Sequence, residues 1–179
     1  QMVVRQAVKQ SVDYRITEVT APTGTGAIDG LAASDGSRLT AGTYVFACGP
    51  WLPKLFPSVV GGRLRSTRQE VFFFGAEPGT QRFVPPQMPA WTDVAGGVYG
   101  VPDLEGRGFK IGLHHHGPPF DPDTGERIVS DDALQVARMI LAKRVPSLEH
   151  APLLEARVCQ YANSGTGDFL IDQHPDHDN

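Results

Sequence analysis

Lys110, Gly112 and His114, spaced two apart, are the residues of this chain whose types and spacing most suggest chemistry. In an extended strand they point to one side, while Phe109, Ile111 and Leu113 point to the other. A glycine inside a strand weakens it, and it often marks a place where a ligand comes close to the backbone. Val98-Tyr99-Gly100-Val101 lies upstream, across a polar, glycine-containing turn, so residues 98–114 read as a hairpin. A symmetric loop would set Tyr99 opposite Lys110 on the same face. The result is a cation, an imidazole and a phenol around a flat gap. The wet side of a half-buried antiparallel sheet carries the same residue types.

Other candidates are weaker. Arg63, Arg65 and Arg68 stand at the polar end of the run Arg63 to Phe74. An arginine there can offer a two-pronged donor to a carboxylate or a ring edge; a basic strand edge that discourages aggregation fits equally. His114 and His116 could chelate a metal, with His174, Asp176 and His177 as further donors, although the two groups lie far apart in sequence. Gly24-Thr25-Gly26 follows a proline-containing turn and precedes a strand rather than a helix, so it reads as a loop and not as a nucleotide cradle.

A chain of 179 residues with ordinary apolar content can hold one domain of usual size. Its net charge of −4 disfavours a surface that tracks phosphates, so nucleic acid is not an expected partner. No run is long enough to cross a bilayer. The start, Gln1-Met2-Val3-Val4, lacks the parts of a signal peptide and suggests a portion of a longer protein. Two cysteines, Cys48 and Cys159, make no disulfide framework, and a reducing cytoplasm is the expected compartment.

The elements that must position the hairpin follow from periodicity. Residues 1 to 10 read as a helix tail, and Tyr14 to Thr20 and Ile28 to Ser34 as strands. Thr43 to Cys48 is a short apolar run of the kind found in a covered sheet, followed by a helical piece from Leu52 to Phe56. Arg63 to Phe74 is a long strand, and Ala90 to Thr92 a shorter one. Ser130 caps a helix whose first turn carries Asp131 and Asp132. Leu134, Ala137, Leu141 and Val145 form its buried stripe, with Met139 and Ile140 beside it, and Pro146 ends it. Leu154 to Tyr161 and Phe169 to Asp172 read as strands.

Taken in order, Tyr99-Gly-x-Pro102, Lys110-x-Gly112-x-His114 and Asp121-Pro122-Asp123-Thr124 resemble the substrate-domain signature of the sarcosine-oxidase-like branch of the D-amino-acid-oxidase-like flavoproteins. Arg68-Gln69-Glu70-Val71-Phe72 and Cys48-Gly49-Pro50-Trp51 extend the similarity upstream. Arg157-Val158-Cys159-Gln160-Tyr161 and Asp168 to Pro175 extend it downstream. The resemblance implies an α+β fold, with a mostly antiparallel sheet covered by a helix and partial strands of an FAD-binding domain. It divides the chain into 1–60 as part of the FAD domain, 61–155 as the substrate domain, and 156–179 as a return segment.

The same resemblance implies FAD bound covalently as a thioether through Cys159, with Arg68 and Lys110 as further cofactor contacts. Catalysis falls to Lys110, His114 and Tyr99, and no metal is expected. Lys110 would assist the reaction with oxygen, and His114 and Tyr99 would orient the amine and hold its carboxylate. A cationic group such as Arg157 would favour the thiolate of Cys159. The implied reaction oxidises a secondary amine or N-methyl amino acid to an imine, with hydride passing to flavin and O2 reduced to H2O2. The full-length protein is expected to be a monomer. The family's amino-terminal nucleotide loop and the carboxy-terminal stretch that closes over the flavin have no counterpart here, so this chain alone is expected to be inactive; Gln160, His115 and His116 depart from the family's pattern and leave the exact substrate open. A histidine-rich metal module and a non-catalytic flavoprotein remnant are the alternatives.

Overall fold

The computed structural model describes residues 2–179. In chain order the elements are α1 (Met2–Lys9), β1 (Leu31–Ala32), β2 (Arg38–Leu39), α2 (Leu52–Leu55), α3 (Pro57–Val60), β3 (Leu64–Phe74), β4 (Trp91–Asp93), β5 (Val98–Val101), β6 (Phe109–Leu113), α4 (Asp131–Arg144) and β7 (Leu153–Ser164). Short 3-10 turns precede α2 and follow α4. Five strands form one antiparallel sheet in the order β4-β5-β6-β3-β7. The expected α+β class, with its antiparallel sheet and covering helix, is what forms.

β3 organises the sheet because it is long and almost wholly buried from Thr67 to Phe74. Alternation sends Phe72 and Phe74 to one face, where they meet Phe109 and Ile111 of β6, Val98 of β5, and Ala137 and Leu141 of α4. Phe72, Phe74, Phe109, Ile111, Leu141 and Leu148 are fully buried, each worth about 1.5–3 kcal/mol of transfer energy. Ser130 caps α4, its hydroxyl accepting from the Ala133 amide at 3.3 Å. Ala137, Leu141 and Val145 form the buried stripe as expected, whereas Met139 points outward and is mostly exposed.

The outer parts depart from expectation. The strands foreseen at Tyr14 to Thr20 and Ile28 to Ser34 shrink to a bridge between Val19 and Ala33 and the two-residue pair β1–β2. Thr43 to Cys48 and Phe169 to Asp172 form no strand at all; Val45 is 86% exposed and Phe169 fully so. Apolar composition makes a strand only where a neighbouring ladder accepts its amides and carbonyls, and among the described residues none lies beside these runs. The end of the chain is docked. His177 is buried against the Gly26 carbonyl at 3.2 Å, and the Asn179 side chain accepts from the Ile28 amide at 2.7 Å and donates to its carbonyl at 3.2 Å.

Candidate flavin face

One face of the sheet packs on α4, and the other carries the candidate chemistry. β3 and β6 pair Phe73 with Lys110 and Val71 with Gly112; β3 and β7 pair Gln69 with Cys159, Val71 with Arg157 and Phe73 with Glu155. Since Phe72 and Phe74 face the helix, Lys110, Gly112, Cys159 and Tyr161 all face away from it. Tyr99 and His114 join them from β5 and the end of β6. Lys110 and Cys159, far apart in sequence, therefore share one surface with only β3 between their strands.

The hairpin register differs from the symmetric expectation. Tyr99 lies opposite Gly112, and Val101 lies opposite Lys110. The turn has left-handed residues at Glu105, Gly106 and Gly108, and the Phe74 carbonyl would stand 2.7 Å from a Cβ at position 108. Across this turn the pairing lies two residues from that of the symmetric loop. The consequence is direct: the gap over Gly112 is filled by the Tyr99 ring, since a Cβ there would sit 2.4 Å from the Tyr99 Cζ and Oη. The bare glycine serves an aromatic side chain of the same sheet.

Around that ring the polar groups converge. The His114 ring lies 4.7 Å from the Tyr99 ring and 6.4 Å from that of Tyr161. Lys110 Nζ stands 5.3 Å from the Tyr99 centroid and 6.0 Å from that of Phe73, and no carboxylate pairs with it among the described residues. Burial, and then the neighbouring Tyr161 hydroxyl and Cys159, push the Tyr99 phenol well above its ordinary range. Tyr99 is therefore a neutral hydrogen-bonding group at physiological pH. Cys159 is a free, half-buried thiol.

Two residues matter that the sequence did not single out for a role. Gln69 is buried in β3 between Arg68 and Glu70, and its amide nitrogen donates to the His115 carbonyl at 2.9 Å. The chain leaves the ladder after Leu113, passes through His114, His115 and His116, and rejoins β3 where the Arg68 amide donates to the Pro118 carbonyl. Gln69 holds this excursion in place and so sets His114. The signal available was an uncharged polar residue inside a buried strand. Tyr161, quoted only as part of a motif, is the second.

Arg68, expected beside the cofactor, is on the opposite face. Its Nε donates to Glu70 Oε1 at 2.8 Å, and its other nitrogens bond the Glu126 and Ile128 carbonyls ahead of α4. Strand alternation decides this: Arg68 is an even position with Glu70 and Phe72, whereas the candidate face takes the odd ones. Arg157 does lie beside Cys159, but it is ion-paired with Glu155, which Arg107 also grips at 3.0 Å, so its charge is compensated. The histidines of the metal reading do not assemble. The His174 and His177 rings lie tilted 4.7 Å apart with His174 against Phe56, the His114 ring packs tilted against Tyr99, and no group of three or more His, Cys, Asp or Glu side chains could hold a metal among the described residues.

The entire chain, residues 1–179, matches the family of FAD dependent oxidoreductases known as DAO. The chain belongs to that family. It is 31% identical over 145 residues to monomeric sarcosine oxidase from Bacillus sp. (strain NS-129), an overlap of 78% of this chain and 37% of that protein. It is 27% identical over 146 residues to peroxisomal sarcosine oxidase from Mus musculus, again over 78% of this chain and 37% of the relative. The chain thus spans little more than a third of these family members. Among solved structures, a double-cysteine mutant of Amadoriase I from Aspergillus fumigatus shares the fold with a TM-score of 0.77 at 21% identity, over 97% of this chain and 42% of that one. Fructosyl peptide oxidase from E. terrenum does so with a TM-score of 0.70 at 16% identity, over 89% and 41%. The face described above suits the family's cofactor: a free thiol, a lysine with no carboxylate partner among the described residues and the phenol of Tyr99 lie on one side of the sheet.

Proposed function

We propose that this chain is the substrate-side portion of an FAD-dependent amine oxidase that takes a secondary amine or N-methyl amino acid to the imine, with O2 as acceptor. The observation that carries this reading is that Lys110 and Cys159 share one sheet face with Tyr99 and His114, in a chain matching an FAD-dependent family over its whole length. Residues 1–60 then belong with the cofactor domain and 61–155 with the substrate domain; because β7 pairs with β3 as far as Ser164, residues 156–164 stay in the substrate-domain sheet and the return segment begins after them. The reading carries with it a monomeric full-length protein in a reducing cytoplasm, the default for two unlinked thiols.

Cys159 is the residue that would hold the flavin: its Sγ would bond the 8-methyl carbon in place of one C–H bond, with the thiol proton and the methyl proton released and the two electrons passed through the flavin ring to O2. FAD, when bound, supplies acceptance of a hydride and the onward reduction of O2 to H2O2. The protein's own contributions follow from its side chains. The Lys110 ammonium is partly buried and has no carboxylate partner among the described residues, so it stabilises negative charge developing on oxygen more strongly than a solvated lysine would. The neutral Tyr99 hydroxyl and the His114 imidazole orient the amine and hold its carboxylate by hydrogen bonds. Gln69 keeps His114 where that contact is possible.

Two measurements on the full reading frame test the proposal. Peroxide release is expected with at least one N-methyl amino acid. Yellow colour is expected to stay with the acid-precipitated protein and to be lost to the supernatant in Cys159→Ser. Peroxide from none of the amines, despite bound flavin, would make the protein a dehydrogenase or assign it another donor.

A further inference from the structure

The connection between β3 and β4 and the end of α4 enclose a cavity of about 480 Å³, whose lining includes Arg82, Phe83, Met88, Arg144, Val145 and Ser147. Phe83 and Val145 belong to the core that also holds Phe109 and Leu141, so the cavity lies on the helix-covered side of the sheet. Lys110 and Cys159 are on the other side. Backbone bonds fix both walls. The Asp103 amide donates to the Phe83 carbonyl at 2.7 Å, the Met88 amide to the Val84 carbonyl at 3.2 Å, and the Val145 amide to the Leu141 carbonyl at 2.7 Å. Small-molecule sites hold roughly 300–1,000 Å³ and join an apolar lining to a few polar groups that orient the ligand. This cavity has that make-up: Phe83 and Val145 are buried and Met88 half-buried, while Arg82, Arg144 and Ser147 are exposed.

Charge selects the ligand. Arg144 gives one nitrogen to Asp93, and Arg82 has no carboxylate partner among the described residues. The two arginines less Asp93 leave one net positive charge. A guanidinium has several N–H donors, so Arg144 keeps some to offer beyond the Asp93 contact. The carbonyl end of α4 lies here too and repels added negative charge, which weighs against a dianion such as phosphate.

We propose that this cavity binds an organic monoanion, a carboxylate on a compact aryl body, with the carboxylate on Arg82 and Arg144 and the body against Phe83 and Met88. The site is separate from the flavin face and does not depend on the amine-oxidation reading. The anion gains charge-assisted hydrogen bonds, and the ring gains apolar burial and contact with the methionine sulfur.

The test is an NMR titration of the full-length, flavin-loaded protein labelled at its methionine methyls. The ligands are 4-phenylbutanoate and its uncharged counterpart 4-phenylbutanamide. The signal missing from Met88→Leu marks Met88, and the exposed Met139 of α4 serves as the control. A saturating shift of Met88 with Met139 unmoved is expected, and the acid should bind about tenfold more tightly than the amide. Arg82→Gln, at an exposed position, should remove most of that difference. Ser147→Trp, also exposed, fills the cavity and should abolish the Met88 response to either ligand. A Met88 signal that stays in place overturns the site, even where the flavin absorbance responds to the acid. Equal affinities for acid and amide, or a Met88 response that survives Ser147→Trp, overturn it as well.

Discussion

The ring of Tyr99 lies over Gly112, its partner on the neighbouring strand, close enough that any Cβ at position 112 would meet the phenol at 2.4 Å. Gly112→Ala is therefore expected to cost about 1–3 kcal/mol by forcing the ring off its rotamer. The cost should nearly vanish in a Tyr99→Ala background, so the two substitutions couple strongly in a double-mutant cycle followed by urea unfolding. Additive effects would mean that the ring does not occupy this place.

The same tyrosine predicts an alkaline limb of stability. Its folded pKa is raised above the ordinary 10.0 by burial first, and then by Tyr161 and Cys159. Below the unfolded pKa both states hold the proton and the full contribution is present. As pH rises past about 10 the unfolded chain releases the proton while the folded one retains it, so stability falls. Thermal unfolding from pH 8 to 11 should show this decline, and Tyr99→Phe should flatten it.

Glu70 joins the sheet to the helix. Its carboxylate accepts from Arg68, from the Ser130 amide at 3.1 Å and from the Ser130 hydroxyl at 3.0 Å, with little of the side chain exposed. Glu70→Ala leaves the Arg68 guanidinium uncompensated and is expected to cost about 3–5 kcal/mol. Arg68→Met should also lower stability while leaving flavin content per folded molecule unchanged. A specific loss of flavin on that substitution would return Arg68 to the cofactor.

A surface tether links α2 to the loop beyond β6. Lys54 Nζ bonds Asp121 at 2.8 Å and Asp123 at 2.5 Å, and the Trp51 indole nitrogen donates to Asp123 at 2.7 Å. Lys54 first, and then Trp51, hold the Asp123 carboxyl below its usual range, and Lys54 with two backbone amides does the same for Asp121. Because both folded values are depressed, the tether is present above about pH 3.9 and is lost as pH falls toward them. Trp51 emission should shift on acidification below pH 4, and Lys54→Met should produce the same shift at pH 7.

Much of the central sheet was readable from residue order alone. Period-two alternation in 109–113 and 98–101 defined the hairpin, and the run ending in Phe72-Phe73-Phe74 defined the middle strand. Ser130, Asp131 and Asp132 marked the helix start, because caps and dipole preferences are local. Ordered motifs, by resemblance, pointed to the flavoprotein family that the whole-chain match then established. Tertiary structure alone decided the rest. Whether Tyr99 faces Lys110 or Gly112 depends on how the turn closes against the Phe74 carbonyl, and which face Arg68 takes depends on the parity of its position relative to the buried phenylalanines. Lys110 and Cys159 come together through pairing between strands distant in sequence. Such pairing is set by burial of the opposite face against α4, a cooperative choice that no local pattern encodes.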